Sequence, residues 1–159
     1  MNDVNEAYMR IALEEAKIAF DIGEVPIGAV IVIGSDVVSR AHNMKEQWND
    51  ATAHAEMVAI RKAVEVLGHW RHLREAVLYV TLEPCPMCAG AIVQSRINTL
   101  VYGADDPKAG AVRSLMNLTQ DPRLNHRVEV VSGVLAEECG ELMSSFFRKV
   151  RETKSEVKN

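Results

Sequence analysis

The sequence has few cysteines and lacks a long uninterrupted apolar run. Its 159 residues include three cysteines, too few for a disulfide scaffold, so we expect a reducing, cytoplasmic environment. The longest apolar stretch, residues 25–33, is broken by Pro26 and Gly28 and is too short to span a membrane. The N-terminus has acidic residues where a signal peptide would be basic and then apolar. We therefore expect neither a secreted disulfide-rich protein nor a membrane protein.

An excess of positive charge is also missing. The net charge is −4, which is not typical of a nucleic-acid-binding protein. The end of the chain differs, because residues 148–159 carry five basic and two acidic residues. Such an end could hold a phosphate backbone locally, but cations also suit the C-terminal end of a helix. From charge alone, the solvated helix end is the favoured interpretation.

Length and composition predict one domain. A chain of 159 residues is long enough for one buried core and short for two. With 48% apolar and 25% charged residues the composition is that of an ordinary globular protein. We therefore predict a single domain over residues 1–159, of which about 151–159 form a loose basic tail.

Apolar periodicity predicts an α/β fold. Runs rich in Val and Ile, bounded by Gly and Pro, predict five strands at residues 28–33, 37–41, 76–82, 99–103 and 128–131. Apolar residues at helical spacing predict a first helix that ends near Gly23 and a last helix over residues 135–150. Because helices and strands alternate through the middle of the chain, we expect a five-stranded mixed sheet with helices on both faces.

Three further local structures are expected between the strands. Asn49, Asp50 and Thr52 are predicted caps of a second helix that ends at Gly68. Pro86 is suited to the first turn of another helix, where its missing N–H is not needed. A short helical turn is predicted at residues 115–118, from Leu115, Met116 and Leu118.

Three side chains have the types and spacing of metal ligands. Cys85 and Cys88 are three residues apart, so on one helical turn both sulfurs face the same way. Thiolates suit zinc, and His54 can add a neutral nitrogen. No fourth Cys or His lies close by in sequence. Structural zinc sites normally have four protein ligands, whereas catalytic sites keep one position for water, so this set favours a catalytic zinc.

Glu56 lies two residues after His54 and is the predicted proton carrier. From that position its carboxylate can reach a water beside the metal without being a ligand itself. Zinc can lower the pKa of a water to roughly 7, and a carboxylate can then move protons between water, substrate and leaving group. At the first turn of a predicted helix the dipole also favours the carboxylate.

The combination of motifs is more specific than its parts. A Cys-x-x-Cys pair alone is more often a redox or structural-metal motif, and His-x-Glu occurs by chance in helices. Together, and with Pro84 directly before the first cysteine, they resemble the signature of zinc-dependent nucleobase deaminases, a group that includes adenine deaminases acting on nucleic acid.

The sequence as a whole resembles the bacterial tRNA-specific adenosine deaminases. The likeness extends from Glu24 to Arg148, and residues 52–56 and 79–90 carry the family's hallmarks. Residues 114–117 and 125–127 are more specific to this branch. The resemblance implies a three-layer α/β/α cytidine-deaminase-like fold, one zinc per subunit and deamination of adenosine to inosine at the wobble position of a tRNA anticodon. It also implies a homodimer in which the partner chain helps to shape the RNA site.

The resemblance also assigns roles to residues by matching motif. It implies zinc ligation by His54, Cys85 and Cys88, and proton transfer by Glu56. For contacts to the RNA it implies Asn43 at the target base, Asp105 and Asp106 near the flanking nucleotides, and Phe146 and Arg148 along the anticodon loop. Asn43 also fits a turn and Phe146 a core stripe. Arg113 departs from the pattern, which commonly has Gly there.

Two other classes of function remain open at this point. A small-molecule deaminase, chiefly one acting on guanine or else on cytidine or deoxycytidylate, would share the metal motif. Residues 114–117 and 125–127 and the basic end favour tRNA over these. A non-catalytic, zinc-stabilised binding subunit is the other alternative, and the presence of Glu56 argues against it.

Overall fold

One mixed sheet organises the fold. The computed structural model of the chain describes residues 2–158, so residues 1 and 159 of the predicted domain and tail lie outside the described part. The strand order is β2-β1-β3-β4-β5. β1 pairs antiparallel with β2 and β3, whereas β3, β4 and β5 are parallel. The strands are β1 (Gly28–Ile33), β2 (Asp36–His42), β3 (Ala76–Leu82), β4 (Thr99–Ala104) and β5 (Glu129–Val131). All five predicted strands are confirmed to within one residue.

Five α-helices surround the sheet in the described residues. They are α1 (Asn2–Asp21), α2 (Lys45–Trp48), α3 (Ala55–Leu67), α4 (Pro86–Gln94) and α5 (Ala136–Lys158). The sequence did not predict α2 or the single 3₁₀ segment at Trp70–Glu75. α2 has no buried residue, and it therefore lacks the apolar period that reveals longer helices. No helix within residues 2–158 is both long and apolar enough to cross a bilayer.

The alternation of side chains along the strands produces two cores, one on each face of the sheet. Ala29 and Ile31 of β1 pack with α3 and α4, whereas Val30 and Val32 pack with α1 and α5. Cys139 of α5 is buried in this second core, as expected of a packing thiol. The three-layer α/β/α architecture is thus confirmed, and its α3–α4 layer carries the predicted metal ligands.

The predicted caps of α3 are wrong. Asp50 Oδ1 accepts hydrogen bonds from the backbone N–H of Thr52 at 2.9 Å and from its hydroxyl at 2.7 Å, which closes the turn before the helix. The N-cap is His54, whose side chain makes no capping bond. Because the turn uses the local polar groups, the imidazole is directed toward the cysteines instead. Gly68 ends the helix in a left-handed conformation, as predicted.

Two predictions for the second half of the chain are also wrong. Residues 111–114 form turns, four residues before the predicted helical turn, and Leu115 and Met116 are exposed rather than packed. The predicted loose tail from about residue 151 is helical, because α5 continues to Lys158. Arg, Glu and Lys are good helix formers, and they extend a helix that packing has already nucleated.

Candidate active site

The start of α3 positions His54 and Glu56. His54 is the N-cap, with an extended backbone (φ −71°, ψ 152°), and Glu56 is the second residue of the helix and is buried. Val58, Ala59 and Ala63 hold the helix on the sheet through the core beneath it. A carboxylate in the first turn of a helix interacts favourably with the positive end of its dipole.

The start of α4 positions the two cysteines. Cys85 is the N-cap, Pro86 is the first helical residue and Cys88 is buried in the first turn. The Ala89 N–H donates to the Cys85 carbonyl at 2.8 Å, which fixes that turn. Helix N-termini also favour thiolates. The predicted start of this helix at Pro86 is confirmed.

His54, Cys85 and Cys88 converge into one cluster. The imidazole Nδ1 lies 3.5 Å from the sulfur of Cys85 and 3.5 Å from that of Cys88, and all three donor atoms lie within 4.8 Å of one another. Tetrahedral zinc with bond lengths of about 2.3 Å to sulfur and about 2.05 Å to nitrogen would separate these atoms by about 3.6 Å. The donor set and its spacing therefore fit zinc, and the cluster can bind a metal.

The surroundings of the cluster shift the pKa values of Cys85 and Glu56. A hydrogen bond with the Cys88 thiol, together with one from His54, outweighs burial and lowers the pKa of Cys85 to about 4. Burial raises the pKa of Glu56 to about 7. Cys85 is thus set up as a thiolate, the form that binds metals. A carboxyl group that titrates near neutral pH can both accept and return a proton.

Asn43 follows β2 and is 3% exposed. Its backbone N–H donates to the Ile27 carbonyl at 3.1 Å, while its Oδ1 accepts from the Lys45 N–H at 3.4 Å. Its Nδ2 donates to the Val25 carbonyl at 3.5 Å. Both side-chain bonds are long, and an amide nitrogen has two N–H donors, so a donor remains for another partner.

Asp105 and Asp106 lie at the start of a loop of residues 105–114, hereafter the 105–114 loop. Asp105 accepts from the Tyr102 hydroxyl at 2.9 Å and from the Arg113 guanidinium at 2.9 Å. Asp106 Oδ1 accepts from the N–H of Lys108 at 3.0 Å. Both carboxylates thus take part in the structure of the loop. Arg113 is an exposed partner of Asp105.

Sequence reasoning did not single out Glu83, which is 2% exposed at the end of β3. Its carboxylate accepts from the loop amides of Asp106, Val112, Arg113 and Ser114, and from the Ser114 hydroxyl. Desolvation opposes ionisation, but these donors, led by the amide of Arg113, lower the pKa of Glu83 to about 2. The signal that could have found it is a charged residue at the end of a buried strand.

A cleft of about 920 Å³ separates the 105–114 loop from α5, a volume in the range of small-molecule sites. Asp105–Lys108 line one side, and Phe147, Arg148 and Arg151 of α5 are among the residues on the other. Val25, Ile27 and Leu82 also line it, and Leu82 lies three residues before Cys85. The structure therefore brings Asp105, Asp106 and Arg148 to one cleft, whereas His54, Glu56, Cys85 and Cys88 are not among its lining residues.

Phe146 has a different environment from its neighbour Phe147. Phe146 is 8% exposed and packs against Phe20 of α1, with ring centroids 5.7 Å apart. Phe147 is 42% exposed and lines the cleft. The core-stripe interpretation of Phe146 agrees with this packing, and an RNA contact by Phe146 stays a prediction. Phe147, which the motif did not single out, is the aromatic side chain of α5 that lines the cleft.

The fold and the cluster define the class of protein. The family model of the MafB19-like deaminases matches residues 2–151, and the chain belongs to this deaminase family. The match includes every residue of the cluster as well as Glu56.

The relatives narrow this class. The chain is 57% identical over 150 residues to a tRNA-specific adenosine deaminase of Bacillus subtilis, covering 94% of this chain and 92% of the relative. It is 47% identical over 154 residues to one of Haemophilus influenzae, with 96% and 88% covered. The predicted resemblance to the tRNA-specific adenosine deaminases is thus confirmed.

Solved structures agree with this family and with the fold. A structure from a study of A-to-I editing by tRNA:A34 deaminases at the wobble position of transfer RNA has a TM-score of 0.82 and 48% identity, over 86% of this chain and 98% of that one. A guanine deaminase from Bacillus subtilis is more distant, with a TM-score of 0.60 and 40% identity, over 63% and 64% of the two chains.

Proposed function

We propose that this protein is a zinc-dependent enzyme that deaminates adenosine to inosine at the wobble position of a tRNA anticodon. The observation that carries the proposal is the convergence of one imidazole nitrogen and two sulfurs, 3.5 Å from nitrogen to each sulfur, on helix starts that also present Glu56. The similarity to tRNA-specific adenosine deaminases over 94% of the chain supports the substrate.

His54, Cys85 and Cys88 would hold the zinc, and Glu56 would move the protons. When bound, zinc lowers the pKa of a water and so makes a nucleophile available at neutral pH. Glu56 accepts a proton from the water that adds to C6 of adenine and delivers it to N1. It then takes the proton of the new hydroxyl group on C6 and passes it to the amino group, so that C6 becomes a carbonyl carbon and the amino group leaves as ammonia. Water is consumed, and inosine and ammonia are the products.

The substrate base must leave the stack of its neighbours to reach the cluster, and an unpaired anticodon base does so at lower cost than a paired one. We assign Asn43 to the edge of that base, because its amide donors have capacity left. Arg148 is exposed on the cleft and is suited to a phosphate. We keep Asp105, Asp106 and Phe146 as predicted contacts of lower rank, since the two carboxylates take part in the structure of the loop and Phe146 is 8% exposed. Arg148 is also paired, with Glu141 at 2.8 Å, but both partners are exposed.

The broader organisation is also part of the proposal. We propose a single catalytic domain, since both cores pack on the same five-stranded sheet. We further propose a homodimer, which the family resemblance implies, and a cytoplasmic location, where cysteines remain reduced for metal binding. Size measurement in solution would test the dimer.

Guanine deamination is the second candidate function. The observation in its favour is the 40% identity to a guanine deaminase of known structure, although over 63% of this chain only. The metal cluster cannot separate the two, because hydrolytic deamination of either purine needs the same chemistry. The residues around the cluster must therefore determine which substrate is accepted.

One assay separates these functions. An anticodon stem-loop with adenosine at the wobble position is incubated with the purified, zinc-loaded protein, and inosine is measured after digestion. The matched controls are the same stem-loop with adenosine moved to another loop position, and free guanine, cytidine and adenosine, each followed by ammonia release. Inosine from the wobble stem-loop alone is the expected result. Ammonia from guanine without inosine in the stem-loop would overturn the proposed substrate.

A further inference from the structure

Glu83 is a buried carboxylate that takes no part in the proposed chemistry. Its oxygens accept four backbone N–H groups, from Asp106 at 3.0 Å, Val112 at 3.1 Å, and Arg113 and Ser114 at 2.9 Å each. The Ser114 hydroxyl is a fifth donor. An ionised group at this depth is strongly destabilising unless such donors satisfy it, so the loop amides and the carboxylate require one another.

The donors all belong to the 105–114 loop, which has turns but no helix or strand. Two further contacts join this loop to the strand end: the Ala111 N–H donates to the Pro84 carbonyl at 2.8 Å, and Gly110 is packed on Glu83. A Cβ added at Gly110 would overlap the Glu83 carboxylate. The conformation of the loop is therefore fitted to one side chain, that of Glu83.

The position of Glu83 connects two parts of the site. It follows Leu82, which lines the cleft, and it precedes the metal ligand Cys85 by two residues. Its carboxylate holds the loop whose residues Asp105–Lys108 form one side of the cleft. A shift of the carboxylate would move this side of the cleft, while the starts of α3 and α4 keep their own packing.

We propose that Glu83 is a positioning residue, which fixes the 105–114 loop relative to the metal-ligand cluster and thereby sets how well the cleft binds the RNA around the target base. Its effect is on substrate binding and acts through the loop. The inference rests on the proposed function where it is tested by kinetics. Its test by hydrogen exchange depends on the structure alone.

The variant Glu83→Gln tests this with little change in shape. In glutamine an NH₂ group replaces one carboxylate oxygen. This group is a donor and cannot accept from the backbone N–H groups around it, so several hydrogen bonds are lost. The matched control is Asp121→Asn, because Asp121 is another carboxylate that accepts a loop amide, that of Arg123 at 2.9 Å. A milder variant, Ser114→Ala, removes only the hydroxyl donor.

Hydrogen–deuterium exchange and metal content are measured first. In Glu83→Gln we expect the amides of residues 106 and 112–114 to exchange at least about tenfold faster, with one zinc per chain retained and α3 and α4 unchanged. Asp121→Asn should leave this loop protected. Unchanged exchange in the loop, or loss of the zinc, would overturn the proposal.

Kinetics on the anticodon stem-loop give the second readout. We expect Glu83→Gln to raise KM about fivefold or more and to change kcat by less than about twofold, the pattern of lost binding rather than lost chemistry. A fall in kcat with unchanged KM would contradict the positioning role. If Glu83→Gln does not fold, Ser114→Ala is judged by the same criteria with smaller shifts. If the wild type makes no inosine, the proposed function fails, while the exchange result still decides the role of Glu83.

Discussion

Different contacts hold the His54–Cys85–Cys88 cluster and the 105–114 loop in place, although the loop is bound to Glu83 and Pro84, directly before Cys85. His54, Cys85 and Cys88 stand at the starts of two helices that pack on the sheet through a continuous apolar core. The 105–114 loop also places Val112 in that core, but four of its backbone N–H groups converge on the side chain of Glu83. The first arrangement depends on packing, whereas the second depends in large part on one buried charge.

This difference separates the two tasks of the site. Helix starts fix side chains to within a narrow range of positions, as metal binding and proton transfer require. Binding residues lie on loops more often than inside helices or strands, and residues Asp105–Lys108 of this loop line the cleft. We therefore expect changes at the cluster to abolish turnover and changes at the loop or cleft to alter substrate binding.

The largest effect is expected from Cys88→Ala. Removal of one of three ligands should abolish both zinc binding and turnover, because two donors hold the ion too weakly. Metal analysis and the inosine assay measure this. Cys139→Ala is the matched control, since it removes a buried thiol from the opposite core and should keep both properties. Full zinc occupancy in Cys88→Ala would remove Cys88 from the ligand set.

Glu56→Gln should separate metal binding from catalysis. We expect zinc to be retained and kcat to fall by about 10²–10⁴, the usual contribution of a proton-transfer residue. The control Glu65→Gln changes an exposed carboxylate on the same helix and should leave kcat unaltered. Turnover of Glu56→Gln at the wild-type rate would show that its assigned role is wrong.

Gly110→Ala tests the loop without touching the cluster. The added methyl group would overlap the Glu83 carboxylate, and overpacking of this kind typically costs about 1–3 kcal/mol of stability. We expect a lower midpoint of thermal unfolding and a higher KM, with zinc content and kcat nearly unchanged. Gly90→Ala is the control, because its added Cβ meets no atom within 4 Å. Equal effects of the two variants would contradict a special packing at residue 110.

Arg148→Ala addresses the cleft. If Arg148 contacts one phosphate, its loss should weaken binding of the stem-loop by a few-fold and reduce the slope of log affinity against log salt by about 0.7. Arg10→Ala is matched, because Arg10 is also exposed and also bound to a glutamate, Glu138, at 3.2 Å. An identical salt dependence in both variants would place Arg148 outside the RNA interface.

The smallest effect is expected from Arg113→Gly. The Arg113 side chain is exposed and bridges to Asp105 on the surface of the loop, and surface ion pairs contribute about 0–1 kcal/mol. The bond from Arg113 to Glu83 uses the backbone N–H, which a glycine keeps. KM should therefore change by less than about twofold. A change as large as that of Gly110→Ala would assign this arginine a direct part in binding.

The same contrast explains which features the sequence could predict. The cluster was predictable because helical geometry converts the spacing of Cys85 and Cys88 into a shared direction. The sheet was predictable because its strands are short runs rich in Val and Ile, as in β1, which is buried on both faces. The role of Glu83 was not predictable, since its partners lie 23 to 31 positions away in the sequence. Most of them are backbone N–H groups, which every residue except proline has, so the residue types do not reveal them. The helical turn predicted from Leu115 and Met116 was wrong, because the sequence does not show that these apolar side chains are exposed. Their spacing is the same as that of residues buried on one face of a helix.

A zinc titration of the metal-stripped protein links the cluster to the reaction. Inosine formed in the wobble-adenosine stem-loop is measured against the zinc bound per chain. We predict that activity rises in proportion to bound zinc and reaches its limit at one zinc per chain. Inosine formation that is independent of zinc, or a fully loaded protein that leaves the adenosine unchanged, would contradict the assignment of His54, Cys85, Cys88 and Glu56.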